Sequence, residues 1–238
     1  MTLLTICTQA LDEISSFNVP TYIIDNDDDT AKTLLAASKK VGTELVRDYS
    51  WQEMLRTASV TTTADDDSYA LESDYERIIS DSAWNTTSDR RMLGNATTQD
   101  WAMIKTLALA SGETYFFRVA RGEIQVKPTP SSAFTFTYEY LSKNYCESAG
   151  GTDQSAWTAD SDLPLLPDDL FIYGIKYYFL KAKNLPYGEA EAEYDGIIAS
   201  RQGKNKPAGI IDMKAGVCPP GRAPYVMGLN FPSSIPNS

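Results

Sequence analysis

Asp25, Asp27 and Asp29 stand at alternate positions in the stretch DNDDD, the oxygen spacing with which a calcium-binding loop begins to wrap a hard cation. The pattern does not close. Its sixth position is Thr30 where the sharp turn needs glycine, and its twelfth is Ala36 where a bidentate glutamate is required. Capping of the helix that follows is the better reading of these carboxylates. Asp65 to Asp67 likewise form an acidic turn without closing ligands, so no metal is expected. Paired carboxylates could also hydrolyse a bond, but they need a cleft that separates their pKa values, and 32 acidic residues guarantee accidental pairs. The chain has no histidine, which removes Ser-His-Asp and Cys-His catalysis. It also has neither a Walker-type loop nor a G-x-G-x-x-G fingerprint, so no cofactor is expected. These residues predict no enzyme, with a carboxylate-based hydrolase as the least favoured option. A carbohydrate-binding module is the alternative outside catalysis, because 14 Tyr, 8 Phe and 4 Trp could line a sugar face.

Lys and Arg number 21 against 32 Asp and Glu, and a formal charge of −11 repels a phosphate backbone unless the cations gather on one face. No stretch of the sequence gathers them. Cys7, Cys146 and Cys218 lie too far apart for a zinc site or a dense disulfide framework, which suits a reducing compartment. The first residues, MTLLTICTQALDEISS, have no basic opening region and meet Asp12 and Glu13 early, unlike a signal peptide. No apolar run approaches the roughly 20 residues that span a bilayer. The sequons at Asn85 and Asn95 therefore carry little weight.

The elements that position these residues change period twice along the chain. Leu3, Cys7, Ala10, Leu11 and Ile14 predict a first helix that stops before Pro20. A second runs from Ala31 toward Trp51, with Leu34, Ser38, Val41, Gly42, Leu45 and Val46 on one stripe, and the two are expected to pack as an antiparallel pair. From Ala58 the period is that of strands. The stretch SYALESDYERIISDSAW, residues 68 to 84, predicts two short strands, with Tyr69, Leu71, Tyr75, Ile78 and Ile79 building a sheet, and the acidic turn before it predicts a hairpin. Thr97 to Asp100 reads as a capping box, and Arg121-Gly122 as a hairpin turn. In AFTFTYEYL, Phe134, Phe136, Tyr138 and Tyr140 share one face, more often the packed side of a sheet than a sugar platform. Residues 145 to 162 are rich in Ser, Gly and Asp and predict an exposed loop. Helical signals return after Pro167, with Leu170, Phe171, Ile175, Tyr178 and Leu180 available for burial. NLPYG then breaks that helix, and Tyr194, Ile197 and Ile198 are the inner residues of another.

The expected fold class is thus α+β: a helical bundle from N- and C-terminal helix pairs (1–55 and 163–206), a β-rich inserted domain (56–162) and an extended C-terminal arm (207–238). In the arm, six prolines from Pro207 to Pro236 forbid long regular structure. Its apolar residues exceed what a solvated linker needs, so Tyr225, Leu229 and Phe231 are the expected anchors of a partner contact and Arg222 the expected mate of an acidic group.

WQEMLRTASVTTTADDDSYALESDYERIISDSAW leads into SDRRMLGNATTQDW, then GEIQVKPTP, FTFTYEYLSKNY and LPLLPDDLFIYGIKYYFLKAKN. Over residues 1 to 205 this order resembles the head-to-tail adaptor proteins of tailed bacteriophages, including the tail tubular protein A type. Glu72 stands where related proteins often carry proline. The resemblance implies a structural virion protein of the tail and neck, assembled in the host cytoplasm into a homo-oligomeric ring, a dodecamer. Its partners would be the portal protein and a tail nozzle or tail-tube protein, with DNA passing through the channel without specific binding. Attachment of tail fibres to the β-rich insert is an alternative role. An acidic channel wall fits passage, since strong phosphate contacts would slow transit.

Overall fold

Leu3, Ile6, Cys7, Ala10 and Leu11 recur at helical spacing and are all buried, which makes Leu3–Asp12 an amphipathic helix, α1. Thr2 caps it by accepting the amide of Thr5. Asp29–Asp48 forms α2, whose buried stripe includes Ala31, Leu34, Ser38, Val41, Gly42, Leu45 and Val46. The computed structural model describes residues 1–14, 17–106 and 114–205, which belong to one unit, Met1–Asn205. The architecture is mixed α and β.

The remaining helices are α3 (Thr98–Thr106), α4 (Asp168–Ala182) and α5 (Gly188–Asn205). The strands are β1 (Leu55–Thr61), β2 (Ser68–Ala70), β3 (Tyr75–Ile78), β4 (Trp84–Asn85), β5 (Arg90–Arg91), β6 (Leu93–Gly94), β7 (Phe116–Ala120), β8 (Glu123–Lys127), β9 (Thr135–Ser142), β10 (Cys146–Glu147), β11 (Asp153–Gln154) and β12 (Leu163–Pro164).

Helix α4 is apolar around most of its circumference, with Leu170, Phe171, Ile172, Gly174, Ile175, Tyr177 and Phe179 buried, so it needs partners on several sides. It has them: α1, α2 and α5 each lie against it. The expected antiparallel pairing of α1 with α2 is therefore replaced, since both spend their apolar stripe on α4. Gly174 permits the closest approach, because a Cβ there would sit 2.8 Å from Val41 Cγ2 and 2.9 Å from Tyr194 Cε2.

In the first sheet β9 is central. Strand β1 pairs antiparallel along one edge, from Leu55 opposite Leu141 to Thr61 opposite Thr135, while β3 and β4 pair on the other edge and β5 extends from β4. The second sheet runs β2-β8-β7-β6, with β6 parallel to β7. Arg121 and Gly122, both at positive φ of 59° and 76°, close the β7–β8 hairpin as expected. The hairpin expected across Asp65 to Asp67 does not form. Thr62 is buried and fastened to Phe134, donating its amide at 2.8 Å and accepting that of Phe134 on its hydroxyl at 2.9 Å, and Asp65 donates its amide to the Pro130 carbonyl. The chain there leaves the first sheet and enters the second. The two sheets share one apolar cluster, in which Tyr69 meets Phe136 edge-on and Tyr115 stacks on Phe134 at 4.4 Å.

Residues 145 to 162 are not an exposed loop. Tyr145, Cys146 and Trp157 are buried in the helical cluster, with Trp157 edge-on to Phe171 at 5.6 Å. Two aspartates explain how a polar stretch can be held there. The first amides of α1, orphaned by helix geometry, are taken by main-chain carbonyls, Leu3 by Asp162 at 2.9 Å and Leu4 by Asp160 at 3.3 Å. The Asp160 carboxylate accepts the amides of Ile23 and Ile24, and the buried Asp162 carboxylate those of Thr158 and Ala159. Composition marks this stretch as polar; the carboxylates of Asp160 and Asp162 are spent on main-chain donors, and that of Asp153 on Arg56.

Candidate functional site

The aspartates between the first two helices are directed to separate partners. Asp28 is the N-cap of α2, accepting the amides of Thr30 and Ala31, which carries the capping role expected of its neighbours. Asp27 pairs with Lys32 at 2.9 Å, Asp29 pairs with Lys183, and Asp25 occupies a left-handed turn position at φ 58°. Lys183 holds the Asp29 carboxyl below its usual range by a hydrogen bond and by its charge. In the second acidic run, Asp65 turns the chain at φ 63°, the Asp66 side chain accepts the Ser68 amide and Asp67 pairs with Lys127. Among the described residues no group of His, Cys, Asp or Glu has the arrangement of a metal site.

The two described thiols, Cys7 and Cys146, are equally remote from chemistry. Burial, aided by the charge of Asp160, pushes Cys7 up to about 12, and burial with the charges of Asp162 and Asp153 does the same to Cys146. A thiol held neutral is a poor nucleophile. The aromatic row of β9 offers no sugar platform, because Phe134, Phe136, Tyr138 and Tyr140 are all buried between the sheets. On the opposite face of that sheet Trp84, paired with Thr137, is 43% exposed.

The four residues expected to form a partner contact, Arg222, Tyr225, Leu229 and Phe231, lie outside the described residues, as does the rest of 207–238. The end of α5 is firmly placed. Asn205 accepts the Gln52 amide at 3.2 Å and donates to Glu53 at 2.9 Å, and Arg201 forms an ion pair with Asp169. These contacts fix the point at which the chain leaves the described body.

One feature of the surface is absent from a linear reading. The cations do gather locally: Lys39, Lys40 and Arg47 of α2 line an open cavity of about 380 Å³ together with Thr43, Glu44 and Tyr178. Lys40 lies over the Tyr178 ring with its Nζ 4.2 Å from the centroid. The pair Lys39-Lys40 on the solvent side of a predicted helix was the available signal, but Tyr178 comes from α4, which the sequence cannot place beside it.

No helix among the described residues is long and apolar enough to cross a membrane. Residues 1–209 match the family model described as SU10 adaptor protein. No curated protein matches the chain.

Proposed function

We propose that this chain, which belongs to the SU10 adaptor protein family of bacteriophage structural proteins, is a head-to-tail adaptor that forms a homo-oligomeric ring between the portal and the tail. The observation that carries the reading is the family match across residues 1–209, which spans the whole described body. The family is one of structural adaptors rather than enzymes. In keeping with that, the aspartate runs are engaged in caps, turns and ion pairs, and both described cysteines are buried and held neutral.

In this reading the subunit joins the ring on meeting portal, dodecameric like the ring expected from the family resemblance, with a nozzle or tail-tube protein on its other side. DNA passes through the lumen without specific binding, and the charge of −11 favours passage over grip. With the helical part taken as 1–55 and 163–206 and the β-rich insert as 56–162, the last segment of which packs into the helical cluster, the helices give a rigid body and the insert supplies a lateral surface. The arm, through Tyr225, Leu229, Phe231 and Arg222, docks on the portal or a neighbouring subunit, its prolines lowering the entropy lost on docking. Assembly takes place in the host cytoplasm and the product is part of the virion neck.

Co-sedimentation tests the reading. Full-length chain mixed with the portal protein of the same phage should sediment with it in a fixed subunit ratio. A chain that stays in the supernatant at every ratio refutes it.

A further inference from the structure

We infer that the cation–aromatic face shared by α2, α4 and the start of α5 is one half of the contact between neighbouring copies of this chain, and that it takes an acidic loop of the next copy. The inference rests on the ring reading above and gives that ring one of its two complementary surfaces.

The face is organised around one buried ring, Tyr177. Lys40 covers Tyr178, the Tyr178 ring lies 4.6 Å from that of Tyr177, and Lys181 Nζ sits 5.0 Å from the Tyr177 centroid and 5.4 Å from that of Tyr187. Tyr187 is 38% exposed. Tyrosine contributes large contact area and a polar tip at little entropic cost, which is why it is enriched at interface centres, while charged groups beside it suit the rim and steer the partner. The side chains are held before any partner arrives. Tyr178 donates its hydroxyl to Glu44, Tyr177 donates to Glu191 at 2.8 Å, and Lys181 donates to the Tyr177 oxygen at 2.7 Å. Little ordering then remains to be done on binding.

Charge decides the occupant. The carboxylates of the face are already engaged, Glu44 by Tyr178 and Asp48 by the Arg47 guanidinium at 2.7 and 2.9 Å. Lys39 and Lys40 have no carboxylate partner among the described residues. Two open ammonium groups on a chain with 32 acidic residues against 21 basic ones are the scarce half of any charge-complementary contact, and the acidic half is plentiful on every copy. A ring contact is heterologous: it joins two different surfaces of the same chain. The Asp25–Asp29 loop is an acidic segment of the required kind: Asp27 pairs with Lys32 at 2.9 Å, but its side chain is fully exposed and such a surface pair is readily exchanged for one across an interface.

The test uses full-length chain, half of it labelled with nitrogen-15, assembled on portal and treated with a zero-length carbodiimide, which joins lysines only to carboxylates in direct contact. Mass spectrometry should find Lys39 or Lys40 joined to an aspartate or glutamate of a differently labelled copy. Rings whose Lys39 and Lys40 are joined only to portal, or to nothing, overturn the inference and leave the ring reading standing. Failure of the unaltered chain to form a ring on portal removes both. As a second arm, Lys39→Glu/Lys40→Glu and the milder Lys39→Ala/Lys40→Ala should keep the circular dichroism of the parent. The reversal should weaken ring formation about tenfold or more at low salt, with the gap narrowing as salt rises. Unchanged ring formation, or a loss of DNA retention alone, contradicts the inference.

Discussion

Replacing Gly174 by alanine tests whether α4 is the helix on which the others pack. The new Cβ would lie 2.8 and 2.9 Å from the two methyls of Val41 on α2 and 2.9 Å from Tyr194 Cε2 on α5, all inside the roughly 3.5–4.0 Å of a relaxed carbon contact. Neither side can yield alone, because backing away from α2 drives α4 toward α5. Overpacking of this kind costs about 1–3 kcal/mol, and the gain of alanine over glycine in a helix returns about 1 kcal/mol. A net loss of up to about 2 kcal/mol follows, lowering Tm by up to roughly 8 °C for a chain of this size. Gly196 supplies the control, since it lies in α5 with nothing within 4 Å of an added Cβ. Gly196→Ala makes the same gain in helix propensity without the collision and should raise Tm by roughly 2–4 °C. Thermal melting followed by far-ultraviolet circular dichroism separates the two, and Val41→Ala placed on Gly174→Ala should cost less than the sum of the single changes. If Gly174→Ala melts as high as Gly196→Ala, the close three-helix approach at this position is refuted.

Asp160→Ala should destabilise by about 2–4 kcal/mol, or roughly 4–16 °C in Tm, because the buried Ile23 amide and that of Ile24 lose their acceptor; an unchanged melt would show that the 145–162 segment is not pinned there. Burial lifts Cys7 and Cys146 from 9.0, and Tyr138 from 10.0, to about 12 in each case. Between these values the unfolded chain loses protons that the native one keeps, so stability is full below about pH 9 and falls as pH rises, by about 1.4 kcal/mol per pH unit for each group in its window. Urea midpoints that stay constant from about pH 8 to about pH 10.5 would contradict it. Truncation after Lys206 should leave the circular dichroism of the body intact and abolish or severely weaken co-sedimentation with portal; normal portal binding by the truncated chain removes the proposed role of Arg222, Tyr225, Leu229 and Phe231.

What could be read in the sequence was local. The buried stripes of α1 and α2, the alternation of β9 and the Arg121-Gly122 turn are each decided by residues within one or two turns or a single hairpin, and each appears where the pattern places it. The pairing of β1 with β9 joins residues more than seventy positions apart, and nothing in TASVTTT favours that partner over β2. The segment 145–162 hid its burial for a related reason: its aspartates look solvated, yet Asp160 and Asp162 satisfy amides of α1, of the Ile23–Ile24 link and of their own loop. The cation–aromatic face was divided between Lys39-Lys40, which no local pattern singles out, and Tyr178, which the helical period marks only as available for burial.

Electron cryomicroscopy of the phage particle that encodes this chain tests the central claim most directly. The account predicts a closed ring of subunits between portal and tail into each of which the body of residues 1–205 fits, with the lumen wide enough for duplex DNA. Density for the chain found only on peripheral fibres, or no copies in the neck at all, would contradict it.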